Sequence, residues 1–354
     1  MILCQKKSAT REWLEAITIA FFIIIFIRGC VFDLFTIPSS SMEKTLLVGD
    51  YILVSKLHYG ARTPITPLAL PIFHQRIPHT AIPSFLNWIQ LGYHRLPGFS
   101  EIKHNDIVVF NYPMELDYPI DERTYFVKRC IGFPGDTLEI KNHTVFLNGV
   151  SIDFPKEAEL QYQVETNGDS LSQSLMNSLT LSEGGPINKP NTFLLSLTNH
   201  DAEDLKINKC IKSINVISHP FSPHDFIFPY DKRFAWNIDI FGPIYVPQKG
   251  DSISLSLENL SLFKKIIEDD DHNTIAVVGK EIHINDKLSQ FYTFKMNYYF
   301  MMGDNRHHSA DSRYWGFVPE SHIVGKAVMV LGSLGNEGGF FERIRWNRIF
   351  SFIN

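Results

Sequence analysis

Only four cysteines occur in 354 residues, Cys4, Cys30, Cys130 and Cys210, widely spaced and without a CxxC pair. That excludes a dense disulfide framework and indicates no zinc site, so they read as mostly unpaired thiols and stability must come from packing. Basic charge is short as well. With 33 Lys and Arg against 38 Asp and Glu, the net charge of -5 is the wrong balance for displacing phosphate counterions, and nucleic acid drops out as a partner. A G-x-S-x-G nucleophile elbow, a heptad pattern and any helical repeat are also missing. The apolar share, 44%, is ample for a buried core, so disorder is not the default.

Long apolar runs are scarce too, and the single membrane-length one is REWLEAITIAFFIIIFIRGCVFDLFTI, residues 11–37. Its uncharged part, 16–27, is short for a span. Extending it from Trp13 to Phe32 gives about 30 Å of helix, with Glu15 and Arg28 snorkelling at the interfaces. No A-x-A cleavage site follows, which favours an uncleaved anchor over a signal peptide. We expect a transmembrane helix over 13–35. Lys6, Lys7, Arg11 and the amino terminus place residues 1–12 in the cytoplasm, and everything after about 36 outside.

Beyond the anchor a turn pair precedes an alternating apolar run four times: Gly49-Asp50 before YILV, Asn105-Asp106 before IVVF, Gly135-Asp136 before TLEI and Gly250-Asp251 before SISL. Period-2 alternation after a turn indicates strands, and Asn148-Gly149 reads as a two-residue hairpin turn. The fold class is therefore mainly β, with its core drawn from 36–60, 101–152 and 291–335. Residues 61–100 carry six prolines and read as an irregular insertion with a short helix around 85–91. Residues 153–290 form a larger, polar insertion whose acidic run, Glu268 to Asp271, reads as a solvated loop.

Three stretches carry chemistry. In IPSSSMEKTLLVGDYILVSK, residues 37–56, three serines follow a proline, a pattern that alone is common in caps and turns. A serine nucleophile needs a base, and the fourteen histidines offer no clear choice. Lys128, in TYFVKRCIGFPGD, does. On a strand it shares a face with Phe126 and Cys130, while Val127, Arg129 and Ile131 point the other way. Lowering a lysine pKa from about 10.4 to between 7 and 8 costs roughly 4 kcal/mol, which desolvation can supply. The third stretch, 298–327, is YYFMMGDNRHHSADSRYWGFVPESHIVGKA. There Ser309, Asp311 and Arg313 alternate, so Asp311 could pair with Arg313 while Ser309 stays free to bond an amine. His307 and His308 point apart and no third metal ligand is evident; His308, Ser309 and Asp311 are too close in sequence to converge as a triad.

Taken in order behind an N-terminal apolar helix, these blocks, with NDIVVF between them, resemble the type I signal peptidases, or leader peptidases. The resemblance covers about a third of the chain. It implies a membrane-anchored serine endopeptidase with an all-β core and an inserted β domain, which removes signal peptides from exported pre-proteins after a small-x-small motif such as Ala-x-Ala. Ser41 would be the nucleophile and Lys128 the general base of a Ser-Lys dyad. The Ser39 hydroxyl and Ser41 N–H would form the oxyanion hole, and Ser309 would orient Lys128. Asp311 with Arg313, and Asp304 with Arg129, would give structural support. The partners are then signal peptides and the lipid bilayer of the cell membrane, and no cofactor or metal is implied. Three positions depart from the family's pattern: Lys44 replaces a proline, HNDIVVF stands for RGDIVVF, and His307-His308 interrupt GDNRDNS.

The C-terminal segment 336–354 mixes aromatics with Arg343, Arg345 and Arg348, a composition suited to the headgroup region. Two rival readings share these features. One is a self-cleaving Ser-Lys protein of the SOS-repressor type, which would carry a DNA-binding domain where the apolar helix stands. The other is a catalytically idle tethered β protein that binds export partners.

Overall fold

The structure, a computed structural model, describes residues 8–71, 73–168, 171, 184–218, 226–335, 338–339 and 341–353. Cys4, Lys6 and Lys7 lie outside them. The apolar segment forms helix α1, Ala9–Phe26, continued by a π turn, Ile27–Val31. It buries none of its residues, and Ala9–Val31 is long and apolar enough to cross a membrane. Near its start Glu15 pairs with Arg11 at 3.1 Å. The expected span of 13–35 shifts toward the N-terminus because Phe32–Thr36 is already strand, its backbone paired from Phe32↔Ser55 to Thr36↔Tyr51. Arg28 and Lys56 both hold Asp33, which ties the exit of the helix to the sheet.

The principal sheet contains eight strands: β1 Phe32–Thr36, β2 Asp50–Ser55, β3 Ile107–Asn111, β4 Tyr125–Gly132, β5 Tyr298–Met302, β6 Val318–Pro319, β7 Ile323–Ser333 and β8 Ser351–Phe352. Its order is β1-β2-β7-β3-β4-β5-β6, with β8 on β7, and every pairing is antiparallel. Each recurring turn pair opens on a residue with positive φ: Gly49, Asn105, Gly135 and Gly250. At Gly49 no side chain could follow, since a Cβ would lie 2.0 Å from the Leu334 carbonyl oxygen.

A second sheet orders Phe241–Tyr245, Thr137–Lys141, Thr144–Leu147 and Val150–Ser151, and the Asn148-Gly149 turn joins its last two strands. Its first strand comes from the large insertion, so 153–290 is not one separable unit. Phe241, Phe294, Phe300 and Phe317 pack this sheet against the principal one. A third sheet, Ile211–Val216, Glu159–Thr166, Thr192–Thr198 and Gly184–Pro186, carries its own apolar cluster around Val164, Leu195 and Leu197.

Two expectations change. Residues 85–91 form no helix: the segment turns at 87–88 and lies in a long antiparallel hairpin, bridged at Arg62↔Arg95, Ala69↔Phe85 and Arg76↔Pro83. Its backbone donors are taken across the hairpin instead, Leu86 N–H by the Leu68 carbonyl and Leu91 N–H by the Ile65 carbonyl. The acidic run is not a free loop either. It continues a helix, Leu260–Lys265, as a π turn, with Asp270 paired to Lys265 at 3.0 Å and the Asp271 carboxylate held by the Tyr292 hydroxyl.

Candidate active site

The serines lie in the link between β1 and β2. Ser39 is extended, and Ser40–Met42 make a single 3-10 turn. Met42 is fully buried among Ile37, Leu46, Ile52 and Val54, so the turn is fixed by its methionine. This directs Ser41 toward β4. There Lys128, 3% exposed, donates from Nζ to Ser41 Oγ at 2.6 Å and to the Val127 carbonyl at 3.0 Å. Its ammonium lies 5.4 Å from the centre of the Phe126 ring, on the face the alternation predicts. Burial lowers the Lys128 pKa to about 8, against the opposing pull of the Asp311 and Asp304 charges.

Arg129, next in sequence, points the other way and grips Asp304 with two bonds, Nε to Oδ1 at 2.8 Å and Nη2 to Oδ2 at 2.7 Å. Thr45 Oγ1 donates to the same carboxylate at 2.6 Å, joining the serine segment to the loop after β5. Asp311 is wholly buried and accepts from Arg313 Nε and Nη2 at 2.9 and 2.8 Å and from the Gly303 N–H at 3.0 Å. Burial alone would raise the Asp311 pKa, but the guanidinium and these donors outweigh it and hold it low.

The structure thus brings together Ser41 with Lys128, Arg129 with Asp304, and Asp311 with Arg313. It does not join Ser309 to Lys128. Ser309 is buried beside Asp311, with its hydroxyl donating weakly to the Ala310 carbonyl at 3.5 Å. Ser39 is exposed, and among the described residues neither its hydroxyl nor the Ser41 N–H has a protein partner. Both donors remain available to a ligand.

Several contributors escaped the sequence reading. Asn305 N–H donates to the Ser41 carbonyl at 3.1 Å. Gly303 sits so close that an added Cβ would meet Ser309 Oγ at 2.1 Å and the Ser41 carbonyl oxygen at 2.6 Å. Glu159, in the large insertion, exchanges backbone bonds with the loop: its N–H donates to the Asp304 carbonyl and its carbonyl accepts from Arg306. Lys44 has φ +66, which proline cannot adopt, and pairs with Asp201 of the insertion at 3.2 Å. Of these, Gly303, standing just before Asp304, and Lys44, in place of the family's proline, are the two with a signal in the sequence.

A third ligand atom near His307 is also present, contrary to the sequence reading. His143, Asp239 and His307 place their ligand atoms within 4.8 Å of one another. His307 Nδ1 accepts the Gln161 N–H at 2.8 Å, so its Nε2 carries the proton and donates to Asp239 Oδ1 at 2.8 Å. This arrangement is a hydrogen-bonded clasp between the insertion and the loop that carries Ser309.

A buried serine and a buried lysine in direct contact, framed by two carboxylate–guanidinium pairs on a mainly β scaffold, define a serine hydrolase type of site. The family model described as "Signal peptidase, peptidase S26" matches residues 10–220 and 247–332, and the chain belongs to that family. It is a serine endopeptidase. The chain is similar to Signal peptidase I of Buchnera aphidicola subsp. Schizaphis graminum, 28% identical over 93% of this chain and 77% of the relative. Signal peptidase I of Aquifex aeolicus is 27% identical over 87% and 78%, and that of Pseudomonas aeruginosa 25% over 92% and 74%.

Proposed function

We propose that this peptidase removes signal peptides from exported pre-proteins after a small-x-small motif, with Ser41 as nucleophile and neutral Lys128 as general base. The observation that carries the reading is the 2.6 Å contact between Lys128 Nζ and Ser41 Oγ in a buried setting. Protonated, Nζ donates in that contact; once it loses a proton, its lone pair accepts the Ser41 proton as Oγ bonds to the scissile carbonyl carbon. The Ser39 hydroxyl and Ser41 N–H donate to the oxyanion that develops. The ammonium then protonates the leaving amine, and an acyl-enzyme remains for water to hydrolyse. Arg129 with Asp304 and Arg313 with Asp311 hold the strand and loop in register, and Ser309, buried beside Asp311, belongs to that supporting loop.

The helix Ala9–Val31 anchors the protein once in the cell membrane, with its N-terminus cytoplasmic and the β core outside. The C-terminal aromatics Trp346, Phe350 and Phe352 are exposed and suit a bilayer surface. The arginines beside them are engaged by the protein: Arg348 grips buried Asp50 and Arg345 bonds the Val48 carbonyl. Charge reversal there would damage the fold before it tested lipid contact.

The test is cleavage of a pre-protein in detergent by wild type, Ser41→Ala and Lys128→Met. Activity in wild type and neither variant is expected. Cleavage persisting in both variants would sink the dyad, and an inactive wild type would favour a binding protein.

A further inference from the structure

One corner of the third sheet touches both halves of the candidate active site. Glu159 and Thr198 pair there, at the start of one strand and the end of its neighbour. The chain then enters the helix Asn199–Lys206, whose first N–H groups need acceptors, and Thr198 Oγ1 takes the Asp201 N–H at 3.1 Å. That cap fixes the place of Asp201, whose carboxylate in the first turn also suits the positive end of the helix. From this corner Glu159 holds the loop after β5, its N–H on the Asp304 carbonyl at 2.8 Å and its carbonyl accepting the Arg306 N–H at 3.0 Å. Asp201 holds the serine side, through Lys44 Nζ at 3.2 Å.

These contacts close a ring. Asn305 N–H donates to the Ser41 carbonyl and Thr45 Oγ1 to Asp304, so the serine turn lies on the loop. The loop lies on Glu159, Glu159 pairs with Thr198, and Thr198 caps Asp201. Asp201 then returns to Lys44, three residues after Ser41. The returning pair is shielded, its side chains 12% and 23% exposed, which makes it firmer than a bridge in open solvent. Lys44 also needs to be held. Its φ of +66 is a left-handed conformation that a lysine disfavours and that persists where the surroundings enforce it.

We propose that Lys44 and Asp201 are positioning residues, whose ion pair fixes the serine turn against the loop so that Ser41 Oγ stays in contact with Lys128 Nζ. The role rests on Ser41 being the nucleophile. It makes the inserted sheet a working part of the catalytic centre, through side chains that touch neither of the reacting groups.

The test is pre-protein cleavage in detergent by Lys44→Met, Lys44→Arg, Lys44→Gly, Asp201→Asn and the Lys44→Met, Asp201→Asn double variant, with circular dichroism to verify folding. Asp201→Asn keeps the backbone bond to Thr198, so the helix cap survives it. Lys206→Met is the control, removing a cation of the same helix from an exposed pair with Glu203. We expect Lys44→Met and Asp201→Asn each to lose about tenfold in kcat with KM unchanged, and the double variant to lose no more than either. Lys44→Arg should keep most of the rate. Lys44→Gly, which is at ease with positive φ, should be as slow as Lys44→Met. The rise of activity with pH should keep its inflection, because burial and the Asp311 and Asp304 charges set the Lys128 pKa. Folded Lys44→Met and Asp201→Asn enzymes as fast as the control, beside an inactive Ser41→Ala, would overturn the pair's role alone. Losses that multiply in the double variant, or a Lys44→Gly as fast as wild type, would also overturn it. An active Ser41→Ala would remove the nucleophile and this role together.

Discussion

Gly303→Ala adds one methyl group at the junction of the serine turn and the loop that carries Ser309. A Cβ there would stand 2.5 Å from Ser309 Cβ and 2.6 Å from the Ser41 carbonyl oxygen, where ordinary contact begins at 3.4 Å. The neighbours include backbone and cannot rotate away, so the Ser41 turn must withdraw by nearly 1 Å, and a displacement of that size costs about a hundredfold in rate. Overpacking of this kind destabilises by about 1–3 kcal/mol, so the variant should still fold. Gly185→Ala is the control, because a Cβ there meets nothing within 4 Å. Steady-state cleavage of a purified pre-protein, with circular dichroism to verify folding, should show the loss in kcat and little change in KM. A folded Gly303→Ala enzyme as fast as the control would refute the account of how the serine turn is held.

With the Lys128 pKa at about 8, the neutral fraction rises roughly tenfold from pH 7 to pH 9, and kcat/KM for a pre-protein should follow; a flat profile would exclude a neutral lysine base. Because the folded-state pKa lies below the unfolded one, the folded protein sheds this proton first, and stability rises with pH between about 8 and 10.5. Lys128→Met removes that penalty and should stabilise the fold by roughly 3 kcal/mol at pH 7, with the gain shrinking toward pH 10, measured by urea denaturation in detergent. Arg129→Met leaves the buried Asp304 carboxylate with Thr45 as its side-chain donor and should cost roughly 3–5 kcal/mol in the same assay.

Local signals in the sequence were informative where local physics decides the outcome. The apolar helix, the strands after positive-φ turns and the alternation that sets Lys128 opposite Arg129 all follow from short-range patterns. In residues 85–91 an apolar run without alternation does not distinguish helix from non-helical chain, and the partner arm lies across the hairpin. The acidic run reads as solvated in the sequence because Tyr292 reaches Asp271 only after the chain folds back, and Lys265 reaches Asp270 only once the helical turn has formed. Asp239 and His143 meet His307 across long stretches of chain, which no spacing rule anticipates. Gly303 was visible as a residue, but its closeness to Ser41 depends on packing of the loop against the serine turn.

The central claim is that Lys128 is neutral at the pH where Ser41 reacts. The most direct measurement is the pH titration of the Lys128 Cε chemical shift in carbon-13 lysine-labelled protein, with the signal assigned by its absence in Lys128→Met. The account predicts an inflection near pH 8. An inflection above pH 10, where an exposed lysine titrates, would contradict it.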